Sequence, residues 1–99
     1  MGKVIILQEY KNEKLENATR LQTDDGKEFI IYPPDLWDAD LQKKAVETEA
    51  HEDIAALILN GVDNVDSYLQ SGGTLLMLIM IFGEEMGVNL GKLLASLPS

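Results

Sequence analysis

The side chains best suited to chemistry in this chain are His51 and the carboxylates beside it, Glu47 and Glu52. If residues 47–52 share one helix, Glu47 lies a turn before His51, and the pair offers a carboxylate and an imidazole to a metal ion. A catalytic zinc site takes three protein ligands, and no further residue has recognisable ligand spacing. The same carboxylates serve equally well to stabilise a protonated, solvated histidine. Paired acids elsewhere are no guide to acid–base catalysis, because a chain with 17 acids forms such pairs by abundance alone. Gly72-Gly73 lacks the Lys-Ser/Thr that follows in a phosphate-binding loop. The absence of cysteine excludes disulfides, thiolate metal sites and thiol catalysis. Neither an enzyme nor a bound metal or cofactor is expected.

Charge and hydropathy divide the chain into thirds. Residues 1–34 carry 6 acids and 5 bases, and residues 35–70 carry 9 acids against only Lys43 and Lys44. Residues 71–99 hold just Glu84, Glu85 and Lys92, and they contain the run Thr74-Leu75-Leu76-Met77-Leu78-Ile79-Met80-Ile81-Phe82. As a helix, that run has no polar face and must be surrounded, by its own domain or by other chains. It falls short of the roughly 20 residues that cross a bilayer, and Val4–Leu7 is too short for a signal-peptide core. A cytoplasmic protein with no membrane partner is the default. The net charge of −9 opposes direct binding of nucleic acid and favours a protein partner with a basic surface.

The elements predicted to position these residues form one α+β domain over residues 1–99, with a β part (1–34) and a helical part (35–99). Val4 to Leu7 reads as a covered strand and Asn12 to Asn17 as a loop. A hairpin follows, turning at Asp25-Gly26 as a two-residue loop. That register sets Leu21 opposite Ile30 and turns Phe29 and Ile31 to the other face. Pro33-Pro34 ends the small antiparallel sheet. Asp35 caps a helix beginning Leu36-Trp37-Asp38, whose apolar stripe is Val46, Ala50, Ile54, Leu57 and Ile58. Gly61-Val62-Asp63 and Gly87-Val88-Asn89 are two similar helix corners, with glycine left-handed and Asp or Asn capping the next helix. Four helices result, the third over 74–86 and the last over Leu90 to Leu97.

Two surfaces emerge as candidates for binding. The acidic one comprises Asp35, Asp38, Asp40, Glu47, Glu49, Glu52 and Asp53, with Trp37 among them as either a core plug or an aromatic anchor. The apolar one comprises Leu76, Met77, Met80, Leu90, Leu93, Leu94 and Leu97, and it suggests a homodimer. Leaving one leucine exposed forgoes about 1.5–3 kcal/mol of burial. The stretch Gly83 to Leu93, with Met86-Gly87-Val88 at its turn, resembles the centre of a helix-turn-helix, which implies a transcriptional regulator. Its second helix offers only Asn89, Lys92 and Ser96 to base edges, and DNA reading needs more.

In size, acidity, lack of catalytic residues and excess apolar surface, the chain resembles, as a class, the small inhibitors that phages and mobile elements carry against host nucleases, anti-CRISPR proteins among them. That resemblance implies a non-catalytic inhibitor of a host nucleic-acid-binding complex. The alternative is a structural or regulatory homo-oligomeric subunit.

Overall fold

A helix buried on every side organises the chain. In the computed structural model, which describes residues 2–87, the segment His51–Leu59 is helical and all six residues from Ile54 to Leu59 are buried. The sequence Ile-Ala-Ala-Leu-Ile-Leu has no polar position, and such a helix is stable only when neighbours cover it all round. The neighbours are three further helices, Ala39–Thr48, Val62–Gln70 and Leu75–Met86, each packed on it. A helix Leu7–Glu16 and the strands Arg20–Gln22 and Glu28–Ile30 come first in the chain. In chain order these are α1 (7–16), β1 (20–22), β2 (28–30), α2 (39–48), α3 (51–59), α4 (62–70) and α5 (75–86), with a 3-10 turn at Pro34–Leu36. The class is α+β, five helices and a two-stranded antiparallel sheet among the described residues.

The C-terminal end of α3 is closed by groups drawn from three directions. Asn60 takes the left-handed conformation at φ 61°, and the Gly61 N–H donates to the Ala56 carbonyl at 2.8 Å, as in a Schellman cap. The Leu59 carbonyl accepts from Asn64 Nδ2 at 2.8 Å. The Ile58 carbonyl accepts from the Tyr32 backbone N–H at 2.9 Å, which ties the end of the hairpin to the helix. Aromatic contacts lock the layers together. Phe29 meets Tyr68 edge-on at 5.9 Å, and Trp37 lies 5.6 Å from Phe82.

Several expectations for the first third need correction. Val4 to Leu7 pairs with no strand among the described residues: residues 2–6 have no regular structure and Leu7 opens α1. Asn12 to Asn17 is not a loop, since α1 runs to Glu16. That helix buries no residue, so no hydrophobic period announced it. Its Leu, Gln, Glu and Lys content supplies helix propensity instead. The β part of the chain thus contains a helix.

The hairpin is present, one residue out of the expected register. Leu21 faces Phe29, and Arg20 faces Ile30. The loop has three residues, Asp24-Asp25-Gly26, closed by Thr23 N–H to the Lys27 carbonyl and Gly26 N–H to the Thr23 carbonyl, both at 2.9 Å. Gly26, at φ 86°, fills the left-handed position of a type I turn with bulge. Leu21, Phe29 and Ile31 consequently share the core face.

The long helix expected first after Pro34 is two helices. Glu49 adopts φ 54° and Ala50 is extended, so α2 stops and α3 restarts. Asp35 sits in the 3-10 turn, and Asp38 caps α2, accepting from the Asp40 and Leu41 N–H groups at 3.0 and 3.1 Å. At the first glycine corner, Asn60 rather than Gly61 is the left-handed cap, and α4 begins at Val62. The second corner begins as expected, with Gly87 at φ 63° ending α5. The helix expected over Leu90 to Leu97 lies outside the described residues.

α5 is covered on one side only. Leu78 and Phe82 are buried, while Leu76, Met77 and Met80 are exposed. The helix that had to be wrapped is α3. Thr74 caps α5, its Oγ1 accepting from the Met77 N–H at 3.2 Å, and α4 meets α5 at 110°. The turn between them is tight because the buried Tyr68 ring lies over Gly73, its hydroxyl donating to the Thr74 carbonyl at 2.9 Å. A Cβ at Gly73 would sit inside that ring. Gly73→Ala should therefore lower unfolding free energy by about 1–3 kcal/mol, as overpacking does. A fall in the urea midpoint checks this, and an unchanged midpoint would show the ring free to move aside.

Candidate acidic and apolar surfaces

The acidic residues separate into those the fold uses and those it leaves free. Asp35 belongs to the fold. Its carboxylate accepts from the Tyr10 hydroxyl and lies 3.6 Å from Lys14 Nζ, joining the 3-10 turn to α1. The Tyr10 hydroxyl, and then the Lys14 charge, hold the Asp35 carboxyl below the usual range against the opposing effect of partial burial. The Tyr10 hydroxyl is pushed up, first by that same bond. Asp38 is committed to capping α2. Asp53 is mostly covered, taking a hydrogen bond from the Thr48 hydroxyl at 2.6 Å and an ion pair from Lys44 at 3.6 Å. Trp37 is 9% exposed and its Nε1 donates to the Tyr32 carbonyl at 3.0 Å, so its ring plugs the core.

Asp40, Glu47, Glu49 and Glu52 remain exposed. On α2, Asp40 and Glu47 are seven residues apart with Lys43 and Lys44 between them, so helical spacing places all four along one line. The middle of α2 is therefore close to neutral. Negative charge gathers at the α2–α3 corner, where Glu47, Glu49 and Glu52 fall within six residues and no salt bridge among the described residues reaches them. Glu52 also stands in the first turn of α3, where the helix dipole favours an anion. The corner bends at Glu49, whose left-handed backbone glycine would adopt without cost.

The break also separates Glu47 from His51. They stand on two helices, so the shared face that would have aimed both at one ion does not exist. Among the described residues, no three His, Asp or Glu side chains are grouped to hold a metal ion. Sequence reading missed the bridge from Thr48 to Asp53 across the corner and the tether from Tyr10 to Asp35. Thr48 and Asp53 carry no signal until the helix break is known.

The apolar candidates divide as well. Leu76, Met77 and Met80, with Thr74, Ile81 and Glu84, outline a shallow groove of about 390 Å³ along the outer side of α5. Leu90, Leu93, Leu94 and Leu97 lie outside the described residues, as does the second half of the helix-turn-helix echo. A smaller cleft of about 260 Å³ runs between β1 and the α4–α5 turn. It holds Thr23, Asp24 and Ser71, whose buried hydroxyl has no hydrogen-bond partner among the described residues. No single helix among them is long and apolar enough to cross a membrane. Comparison of the chain with models of protein families, with curated proteins and with solved structures finds no match.

Two predictions follow from the geometry of these acids. Glu49→Gly removes a left-handed penalty of roughly 1–2 kcal/mol and returns part of it as unfolded-state entropy, leaving a net gain of up to about 1 kcal/mol. A thermal melt reads the gain, and a lower melting temperature would mean that the Glu49 side chain itself holds the corner.

The Tyr10–Asp35 tether should depend on pH at both ends. A depressed Asp35 pKa contributes stability above the ordinary carboxylate value and loses it as pH falls through the folded one. A raised Tyr10 pKa contributes below the ordinary tyrosine value and loses it as pH rises through the folded one. Hydrogen exchange of the α1 amides should therefore quicken in acid, and Tyr10→Phe should show that faster exchange already at neutral pH.

Proposed function

We propose that this chain is a non-catalytic binding module that works in the cytoplasm as a small acidic inhibitor of a host nucleic-acid-binding complex, in the manner of phage and mobile-element anti-defence proteins such as anti-CRISPRs. The observation that carries this reading is the α2–α3 corner. Three exposed carboxylates, Glu47, Glu49 and Glu52, project there without a salt bridge among the described residues, on a backbone bent through an unfavourable conformation at Glu49. Asp63 and Asp66 on α4 are exposed as well. Acids set out in this way imitate a phosphate backbone and steer association with a basic groove. Asp35, Asp38, Asp53 and Trp37 are left out of the contact surface, because each already serves the fold.

A second reading, a homo-oligomeric accessory subunit, draws support from the exposed Leu76, Met77 and Met80 on α5. Apolar side chains clustered along one helix are a common subunit contact. The leucines at 90, 93, 94 and 97 would extend that face if they continue it. In neither reading does the chain touch nucleic acid directly, and a transcriptional regulator ranks below both.

The test is capture from bacterial extract by the immobilised chain, at low and at high salt. Basic nucleic-acid-binding proteins should be retained at low salt and released as salt rises. Reversing Glu47, Glu49 and Glu52 together to lysine should weaken retention at least about tenfold, as loss of charge complementarity does. Circular dichroism should be unchanged, because exposed charges contribute little to stability. Asp38 stays out of the reversal, since losing its cap costs about 1 kcal/mol. Undiminished capture by the triple variant would reduce the corner to a solubility device and leave the α5 face as the contact.

A further inference from the structure

The N-terminal arm is a run of apolar residues that the rest of the described chain leaves exposed. Val4, Ile5, Ile6 and Leu7 are 85, 69, 54 and 64% exposed. The backbone is extended at Ile6 (φ −89°, ψ 115°), and Val4 and Ile5 make no backbone hydrogen bond among the described residues. Four successive aliphatic residues, three of them β-branched, favour a strand wherever an edge is offered. The α1 helix that carries the arm buries nothing and is ten residues long, short for a helix to persist without packing.

The same chain presents such an edge. In the β1–β2 hairpin, Thr19 bonds Ile31 and Thr23 bonds Lys27. By the alternation of an antiparallel ladder, Glu28 and Ile30 then direct their N–H and C=O groups away from β1. No backbone group among the described residues meets them. Two strands of three residues are below what a sheet needs to stand alone, and an open edge is a template for pairing. Beside this edge lies a groove of about 230 Å³ lined by Ile30, Tyr32, Leu59 and Asn64, able to receive every second side chain of an added strand.

We propose that residues 3–7 of one copy add as a third strand to the outer edge of β2 in a second copy, and that the exchange is reciprocal. A second copy is the occupant because this chain supplies both halves of the fit. Among the described residues Val4 and Ile5 make no backbone hydrogen bond, and no backbone group meets the outer edge at Glu28 and Ile30. Laid parallel to β2, the arm brings Lys3 beside Glu28, so charge agrees. A reciprocal exchange closes as a two-fold dimer, because each copy's arm and β2 edge are then both engaged. The contact uses neither the acidic corner nor the exposed side of α5.

Sedimentation of the full chain at micromolar concentration should give a dimer. Ile5→Pro removes a ladder donor from an exposed position, so it should raise the dimer dissociation constant at least tenfold with the circular dichroism unchanged. Because the protein has no cysteine, Val4→Cys and Glu28→Cys give a second readout independent of that variant. Mixed and oxidised, the two single-cysteine proteins should cross-link to a species of twice the 11.0 kDa chain mass, and neither should do so alone. A monomer across the concentration range overturns the proposal. So does a dimer that survives Ile5→Pro and dissociates in Met80→Lys, which would place the interface on α5. Because Ile5→Pro leaves Glu47, Glu49 and Glu52 intact, loss of the dimer with capture unchanged separates this exchange from the acidic contact.

Discussion

Burying α3 on all sides is the requirement from which the rest of the architecture follows. Six successive apolar residues leave that helix no face to show to water, so elements must approach it from every direction. α2, α4 and α5 are helices and bring their own closed hydrogen-bond ladders. The hairpin is open, and it reaches α3 by giving the Tyr32 N–H to the Ile58 carbonyl. One bond thereby satisfies a helix-end acceptor and fixes where the sheet sits. Phe29 and Ile31 are then directed into the core, and Trp37, held to the Tyr32 carbonyl, closes the side toward α5.

Covering α3 draws in apolar side chains from α2, α4, α5 and the hairpin, and what stays uncovered is informative. α5 gives Leu78 and Phe82 to the core, and its other side stays in solvent because no further element arrives there among the described residues. α1 and the arm before it are left out entirely. Among the described residues, Tyr10 and Lys14 tie α1 to Asp35, and the Arg20 side chain reaches the last carbonyls of α1, exposed contacts that salt and extreme pH weaken. Regions held so lightly open at low free energy cost, which suits an element that is to be exchanged.

How much of this was legible from sequence depended on whether a residue type announces its backbone. Asp24-Asp25-Gly26 announces a turn, and the hairpin lies where it was read. Its register did not follow, because a three-residue loop with Gly26 at the bulge and a two-residue loop have the same signature. Gly87 stopped α5 as glycine usually does. Glu49 gave no warning that it would end α2, since glutamate is an uncommon left-handed residue and an ordinary helical one. That single break moved the N-cap of α3 to Ala50, parted Glu47 from His51 and brought Thr48 to Asp53. α1 escaped because hydrophobic period was the signal sought, and a helix that buries nothing has none.

The candidate surfaces follow the same logic. Charge and apolar excess are unevenly placed in the sequence, which could not say which acids the fold would consume. Asp35, Asp38 and Asp53 each answer a local demand, for a tether, a helix cap and a corner brace. Glu52 serves only the dipole at the start of α3, Glu47 and Glu49 make no salt bridge among the described residues, and Glu49 occupies a position where glycine would fold more easily. The corner thus joins exposed acids to a backbone conformation that works against one of them. That contrast, more than the total of negative charge, is what sets the α2–α3 corner apart from an ordinary solvated face.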